Sequence, residues 1–100
     1  MEFKGTKGEW SIEESFDDMY NQKIFNISTD SMEGLAVIYT GGELFKDEQQ
    51  ANAKLISSAP DLLEALKHGL RLAETLPNKE SIAVKQFVKN ATKAIEKALL

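Results

Sequence analysis

At 100 residues the chain has room for about one hydrophobic core, since a single core serves domains of roughly 100–150 residues. Its 42% hydrophobic and 28% charged content excludes a disordered or low-complexity chain, and zero Cys excludes disulfides, thiolate catalysis and cysteine-based metal sites. A net charge of −4 is at odds with a stand-alone nucleic-acid binder, and no apolar run approaches the ~18–20 residues of a membrane span.

In chain order, the first element expected is a strand over about residues 9–14. There Trp10 and Ile12 alternate with Glu9, Ser11 and Glu13, the period-2 pattern of a half-buried strand. Residues 15–22 are polar and turn-rich and read as a loop in which Phe16 or Tyr20 folds back as a plug. A second strand is expected over 23–28, a turn over 29–34, and a third strand over 35–40, stopped by Gly41-Gly42. Three antiparallel strands this short need a layer over their apolar face.

The second half supplies that layer. Asp47 followed by Gln50 has capping-box spacing, so a helix is expected over about 48–58 with Ala51, Leu55 and Ile56 inward. Pro60 breaks the run, and Ser58 is placed to cap a second helix, about 60–75, with Leu62, Leu63, Leu66, Leu70 and Ala73 on one face. Asn78 is expected to cap the last helix, about 79–99, whose stripe is Val84, Val88, Ala91, Ile95 and Ala98. Antiparallel packing of the last two helices within the chain suits this stripe, and a helical homodimer is its alternative. The fold class expected is α+β: one domain over residues 1–100, an N-terminal three-stranded antiparallel sheet with helices packed on one face.

Charge is divided unevenly between the halves. Residues 1–50 hold four Lys and eleven Asp or Glu, net −7, whereas residues 51–100 hold eight Lys or Arg and five Asp or Glu, net +3. Such polarity can orient a charged partner or align two copies head to tail. The most ordered surface feature is Lys85, Lys89, Lys93 and Lys97, four ammonium groups at i, i+4 steps on the last helix. They read either as a solvated face serving solubility or as a contact for nucleic-acid phosphates or an acidic protein groove.

Other constellations are weaker. His68 is the one His, so a metal site or a Ser-His-Asp device would rest on it alone. The neighbours Asp17-Asp18 and Glu13-Glu14 point opposite ways in an extended chain and make no acid/base pair. Gly5-Thr6-Lys7-Gly8 lacks phosphate-loop spacing, and acids at Glu43, Asp47 and Glu48 make Gly41-Gly42 a turn rather than an anion cradle. Trp10, Phe25, Tyr39 and Phe45 could form an aromatic patch, but their strand context favours the core. No base, nucleophile and oxyanion arrangement can be assembled, so the expectation is a protein that is not an enzyme, with no cofactor and no metal.

The stretch Asp47-Glu48-Gln49-Gln50-Ala51-Asn52-Ala53-Lys54-Leu55-Ile56-Ser57-Ser58-Ala59-Pro60-Asp61-Leu62-Leu63-Glu64-Ala65-Leu66 resembles a motif of many short proteins encoded by phages and prophages. Gly5-Thr6-Lys7-Gly8-Glu9-Trp10 resembles their opening, and Ala94-Ile95-Glu96-Lys97-Ala98-Leu99 their end. The resemblance implies an accessory protein of the infected bacterial cytoplasm that occludes or remodels a host machine, and some such proteins are anti-CRISPR inhibitors. The leading expectation is a non-enzymatic inhibitor of a host defence protein, such as a CRISPR effector with its guide RNA, without membrane attachment. Either the lysine stripe or the acidic first half would be the binding face. The alternatives are a sponge for a signalling nucleotide, to which the single Arg71 offers little, and a structural or regulatory phage component.

Overall fold

The structure, a computed structural model, describes residues 2–100, and within it the chain divides into two compact units, Thr6–Pro60 and Asp61–Leu100 with the residues up to Gly5. The first contains strands β1 (Ser11–Asp17), β2 (Gln22–Ser28) and β3 (Ala36–Tyr39) and helix α1 (Lys46–Ser57); helices α2 (Ala59–Thr75) and α3 (Ile82–Leu99) follow. The α+β class and the order of elements are as expected.

The sheet is antiparallel in the order β1-β2-β3, with Ile12 opposite Ile27, Glu14 opposite Phe25 and Phe25 opposite Ile38. Its central strand carries the core of this unit, since Phe25 and Ile27 are fully buried and Ile24 is nearly so. Two strands, β1 and β3, depart from their expected bounds. β1 starts at Ser11 and runs on to Asp17, leaving Trp10 outside the ladder with its Nε1 donating to Thr6 O at 3.1 Å. The chain turns later because the Asp17 carboxylate accepts from the backbone N–H groups of Met19 (2.9 Å) and Tyr20 (3.3 Å), while Asn21 takes a φ of 49°. Phe16 therefore sits in the strand, 55% exposed, and neither it nor Tyr20, at 61%, is a plug. β3 is shorter than 35–40, although Thr40 N still donates to Lys23 O.

Helix α1 packs on all three strands. It is entered through a 3-10 turn, Glu43–Phe45, so its N-cap is Phe45, which offers no side-chain oxygen, and the Asp47–Gln50 capping box does not form. Asp47 lies instead in the first turn, where its charge meets the positive end of the helix dipole. The inward face also differs: Ala53 is buried, whereas Ala51 and Leu55 are exposed and Ile56 is half-buried. The small Ala53 allows close approach to the sheet, and Gln49 on the same face donates from Nε2 to Tyr39 O at 3.0 Å, occupying a carbonyl of the outermost strand. Ser58 closes α1 rather than opening α2, since its Oγ donates to Lys54 O at 2.8 Å. Pro60 occupies the first turn of α2, where a missing N–H costs no helical hydrogen bond.

In the second unit, Gly69, Leu72 and Ala73 of α2, Leu76 just beyond it, and Ala83, Val84 and Phe87 of α3 line one apolar cleft, so the end of α2 lies beside the start of α3. Gly69 faces Phe87, and a Cβ there would sit 3.5 Å from that ring, an ordinary van der Waals contact. Ala73, Ala91 and Ile95 are buried and Val84 and Val88 half-buried. Ala98 is exposed; the stripe continues to the half-buried Leu99, because a further step of four from Ile95 stays on that face. The cap of α3 is Ser81, not Asn78: the Ser81 hydroxyl accepts from Val84 N at 3.3 Å, and Asn78 contributes its carbonyl to Ser81 N at 2.9 Å. Ser81→Ala is expected to cost about 1 kcal/mol of stability, and Asn78→Ala less, by urea unfolding followed by circular dichroism.

Candidate partner-binding site

Periodicity sets the lysine row. An α-helix turns about 100° per residue, so each i, i+4 step advances about 40° around the axis and about 6 Å along it. The row therefore starts beside the Val84–Val88–Ala91–Ile95 stripe and winds away from it toward the opposite side. Lys85, Lys89, Lys93 and Lys97 are all exposed.

The four are not equivalent. Lys85 Nζ lies 3.0 Å from Glu80 Oε2, and both line an open groove of about 400 Å³ with Glu74, Lys79, Val88 and Lys89. Among the described residues Lys89, Lys93 and Lys97 enter no ion pair. The last three lysines of the row are thus outside the ion pairs of the described residues, while the first, Lys85, is partly neutralised by Glu80. Gln86 Nε2 donates to Asn90 Oδ1 at 3.0 Å along the same helix, so these two amides engage each other.

The other candidates fare differently. His68 and Arg71 are exposed on α2. Gly41 and Gly42 take φ values of 72° and 102°, the conformation of a glycine turn. Of the four aromatics expected in the core, only Phe25 is buried; Trp10 is half-buried, and Tyr39 and Phe45 are 43% and 47% exposed. The register gives the reason for Tyr39: it pairs with Ile24, one residue out of step with Phe25, so it emerges on the other face of the sheet. Phe45 belongs to the 3-10 turn, outside the ladder.

A second arrangement was not visible from the sequence. The Tyr20 and Tyr39 rings meet edge to face, centroids 5.8 Å apart at 87°. Burial holds the Tyr39 phenol above its ordinary range, aided by the charge of Asp17 and a hydrogen bond to it. A raised phenol keeps its stabilising contribution fully below the unfolded value of about 10 and loses it as pH rises through the folded value. Asp17→Asn is accordingly expected to lower the Tyr39 titration midpoint, read from ring-carbon NMR shifts in an alkaline titration. The signal that could have located the pair is the hairpin register, which sets Asp17 opposite Gln22 and Tyr39 beside Ile24.

The family described as Salmonella phage P22 protein Y8K6 matches residues 1–99 of the chain. No curated protein and no solved structure matches it. No helix among the described residues is long and apolar enough to cross a membrane.

Proposed function

The chain belongs to the family of Salmonella phage P22 protein Y8K6, and from that premise we propose that it is a non-enzymatic accessory protein that inhibits a host defence machine by binding it. The machine that suits the surface best is an RNA-guided nuclease, with the lysine row of α3 set against the backbone of its guide RNA. The observation that carries this reading is the run Lys89, Lys93 and Lys97, exposed, evenly stepped and unpaired among the described residues. In a protein of net charge −4, a local row of this sign favours a polyanion that is already held by a protein over free nucleic acid, which the rest of the molecule repels.

The test is affinity capture of the tagged protein from bacterial lysate expressing candidate defence systems, beside a Lys85/Lys89/Lys93/Lys97→Glu variant. The expected result is recovery of a nuclease with its RNA by the natural chain alone. Recovery of the same complex by the variant would remove the row from the mechanism. Recovery of no nuclease by the natural chain would overturn the inhibitor reading.

A further inference from the structure

β3 is an edge strand, since the sheet runs in the order β1-β2-β3. In an antiparallel ladder, residues that exchange hydrogen bonds with the neighbouring strand alternate with residues whose main-chain groups point away from it. Thr40 N donates to Lys23 O at 3.3 Å, and Ile38 and Ala36, opposite Phe25 and Ile27, fall in the same phase, so these three face β2. The N–H and C=O groups of Val37 and Tyr39 therefore point outward. Gln49 confirms the direction, because it donates to Tyr39 O at 3.0 Å from outside the ladder. The Val37 N–H, the Val37 C=O and the Tyr39 N–H have no hydrogen-bond partner among the described residues.

Sheet edges are usually guarded by charge, proline or a covering element. The opposite edge, β1, carries Glu13, Glu14 and Asp17, whereas β3 is Ala36-Val37-Ile38-Tyr39, with no charge at all. An open groove of about 470 Å³ runs between residues 37–39 of β3 and Gln49, Asn52, Leu55 and Ile56 of α1. Its apolar walls are wet, Val37 being 39% exposed and Leu55 64%. The Asn52 amide donates to Gln49 Oε1 at 2.8 Å, which steadies Gln49 on Tyr39 O and ends the open run of main-chain groups there.

The geometry points to a strand-docking site: an extended segment of a partner protein, apolar at alternate positions and flanked by Lys or Arg, adds beside β3 as a fourth strand, with one row of its side chains in the groove against α1. Only another extended backbone presents acceptors and donors at the two-residue spacing of Val37 and Tyr39, and apolar side chains at alternate positions fill the space beside Leu55 and Ile56. A second copy of the chain is a poorer occupant on two counts. The unit Thr6–Pro60 holds four Lys and ten Asp or Glu, net −6, so two copies meeting edge to edge bring like charge together, whereas basic flanks are attracted. The four residues of β3 span only about 13 Å, and a groove of that length and one strand wide falls far short of the roughly 800 Å² that each partner of a stable dimer buries. The assignment depends neither on the lysine row of α3 nor on the inhibitor reading.

The test is an NMR titration of the full chain with three peptides. The first is acetyl-Lys-Val-Thr-Val-Lys-amide, the second is the same peptide N-methylated on its three central residues, and the third has Glu in place of both Lys. Expected are saturable shifts of the Val37 and Tyr39 amides and the Leu55 methyls with the first peptide, slowed hydrogen exchange of those two amides, and at least tenfold weaker binding of the other two. Val37→Pro removes one outward N–H without breaking a bond to β2, since proline is tolerated where the N–H of an edge strand faces away from the sheet. It is expected to weaken binding at least tenfold. Leu55→Ser, at an exposed position of α1, should weaken binding about tenfold while the amides of β2 keep their positions, so the test stands even where the proline variant unfolds. Shifts that do not saturate, equal binding of the N-methylated or the Glu peptide, or binding that survives Leu55→Ser would overturn the assignment. A dimer in sedimentation velocity that Leu55→Ser dissociates would also overturn it, by giving the edge to a second copy.

Discussion

Replacing Phe25 by Ala is expected to lower the stability of the sheet unit by about 3–5 kcal/mol. The side chain is fully buried at the centre of β2, paired with Glu14 on one side and Ile38 on the other, on the strand that α1 also covers. Truncating a buried Phe costs about 3–5 kcal/mol, through lost transfer free energy and the cavity left behind. A whole 100-residue domain is stable by only about 5–15 kcal/mol, so one such loss removes a large share of the total. The few other buried residues of this unit, Ile24, Ile27, Thr40 and Ala53, leave little to close the cavity. Urea unfolding followed by circular dichroism reads the effect as a fall in midpoint, with Phe16→Ala as the comparison. Phe16 is also on the sheet but 55% exposed, and its loss is expected to change stability by no more than about 0.5 kcal/mol. Equal effects at the two positions would mean that Phe25 is not the centre of this core.

The second large effect concerns the lysine row. If all four ammonium groups contact phosphates of a single-stranded RNA segment, the logarithm of affinity falls against the logarithm of salt with a slope of about −2.8, and of about −3.6 for a duplex-like backbone. A fourfold rise in salt then weakens binding roughly 50- to 150-fold. Each of Lys89→Ala, Lys93→Ala and Lys97→Ala should reduce the slope by about 0.7–0.9. Lys85→Ala should reduce it less, because Glu80 already neutralises that ammonium at 3.0 Å. The Lys85/Lys89/Lys93/Lys97→Glu variant is expected to show no retention above background at any salt concentration. Retention of the nuclease–RNA complex on the immobilised protein across a salt series measures these slopes. Folding is a separate matter: the four positions are exposed, so reversal costs only a few tenths of a kcal/mol each, chiefly from carboxylates near the negative C-terminal end of α3. An unchanged helical circular dichroism signal would separate lost binding from lost structure. A flat salt dependence of the natural chain would show that the row is only a solvated face.

Alternation of apolar and polar residues was enough to place Phe25 and Ile27 in a strand, and the four-and-three spacing of Val84, Val88, Ala91 and Ile95 was enough to place the core side of α3 and hence the exposure of its lysines. These are local signals, set by the periods of strand and helix. Capping was decided elsewhere. Asp47, Ser58 and Asn78 are all good cap residues by type, but which hydroxyl or carboxylate reaches an N–H depends on how the preceding segment enters the helix, and here Phe45 and Ser81 hold the N-cap positions instead. The inward face of α1 likewise depended on its partner, because the sheet accepts a small Ala53 and a hydrogen-bonding Gln49 where hydrophobicity alone favoured Leu55. The Tyr20–Tyr39 pair is the most tertiary feature. Tyr39 is nineteen positions after Tyr20 in the sequence, and the two meet only because the β1–β2 turn and the β2–β3 register bring them to one edge of the sheet. A sequence states which residues can alternate or repeat along a chain; which distant ones touch is set by strand pairing, and that is a property of the folded molecule.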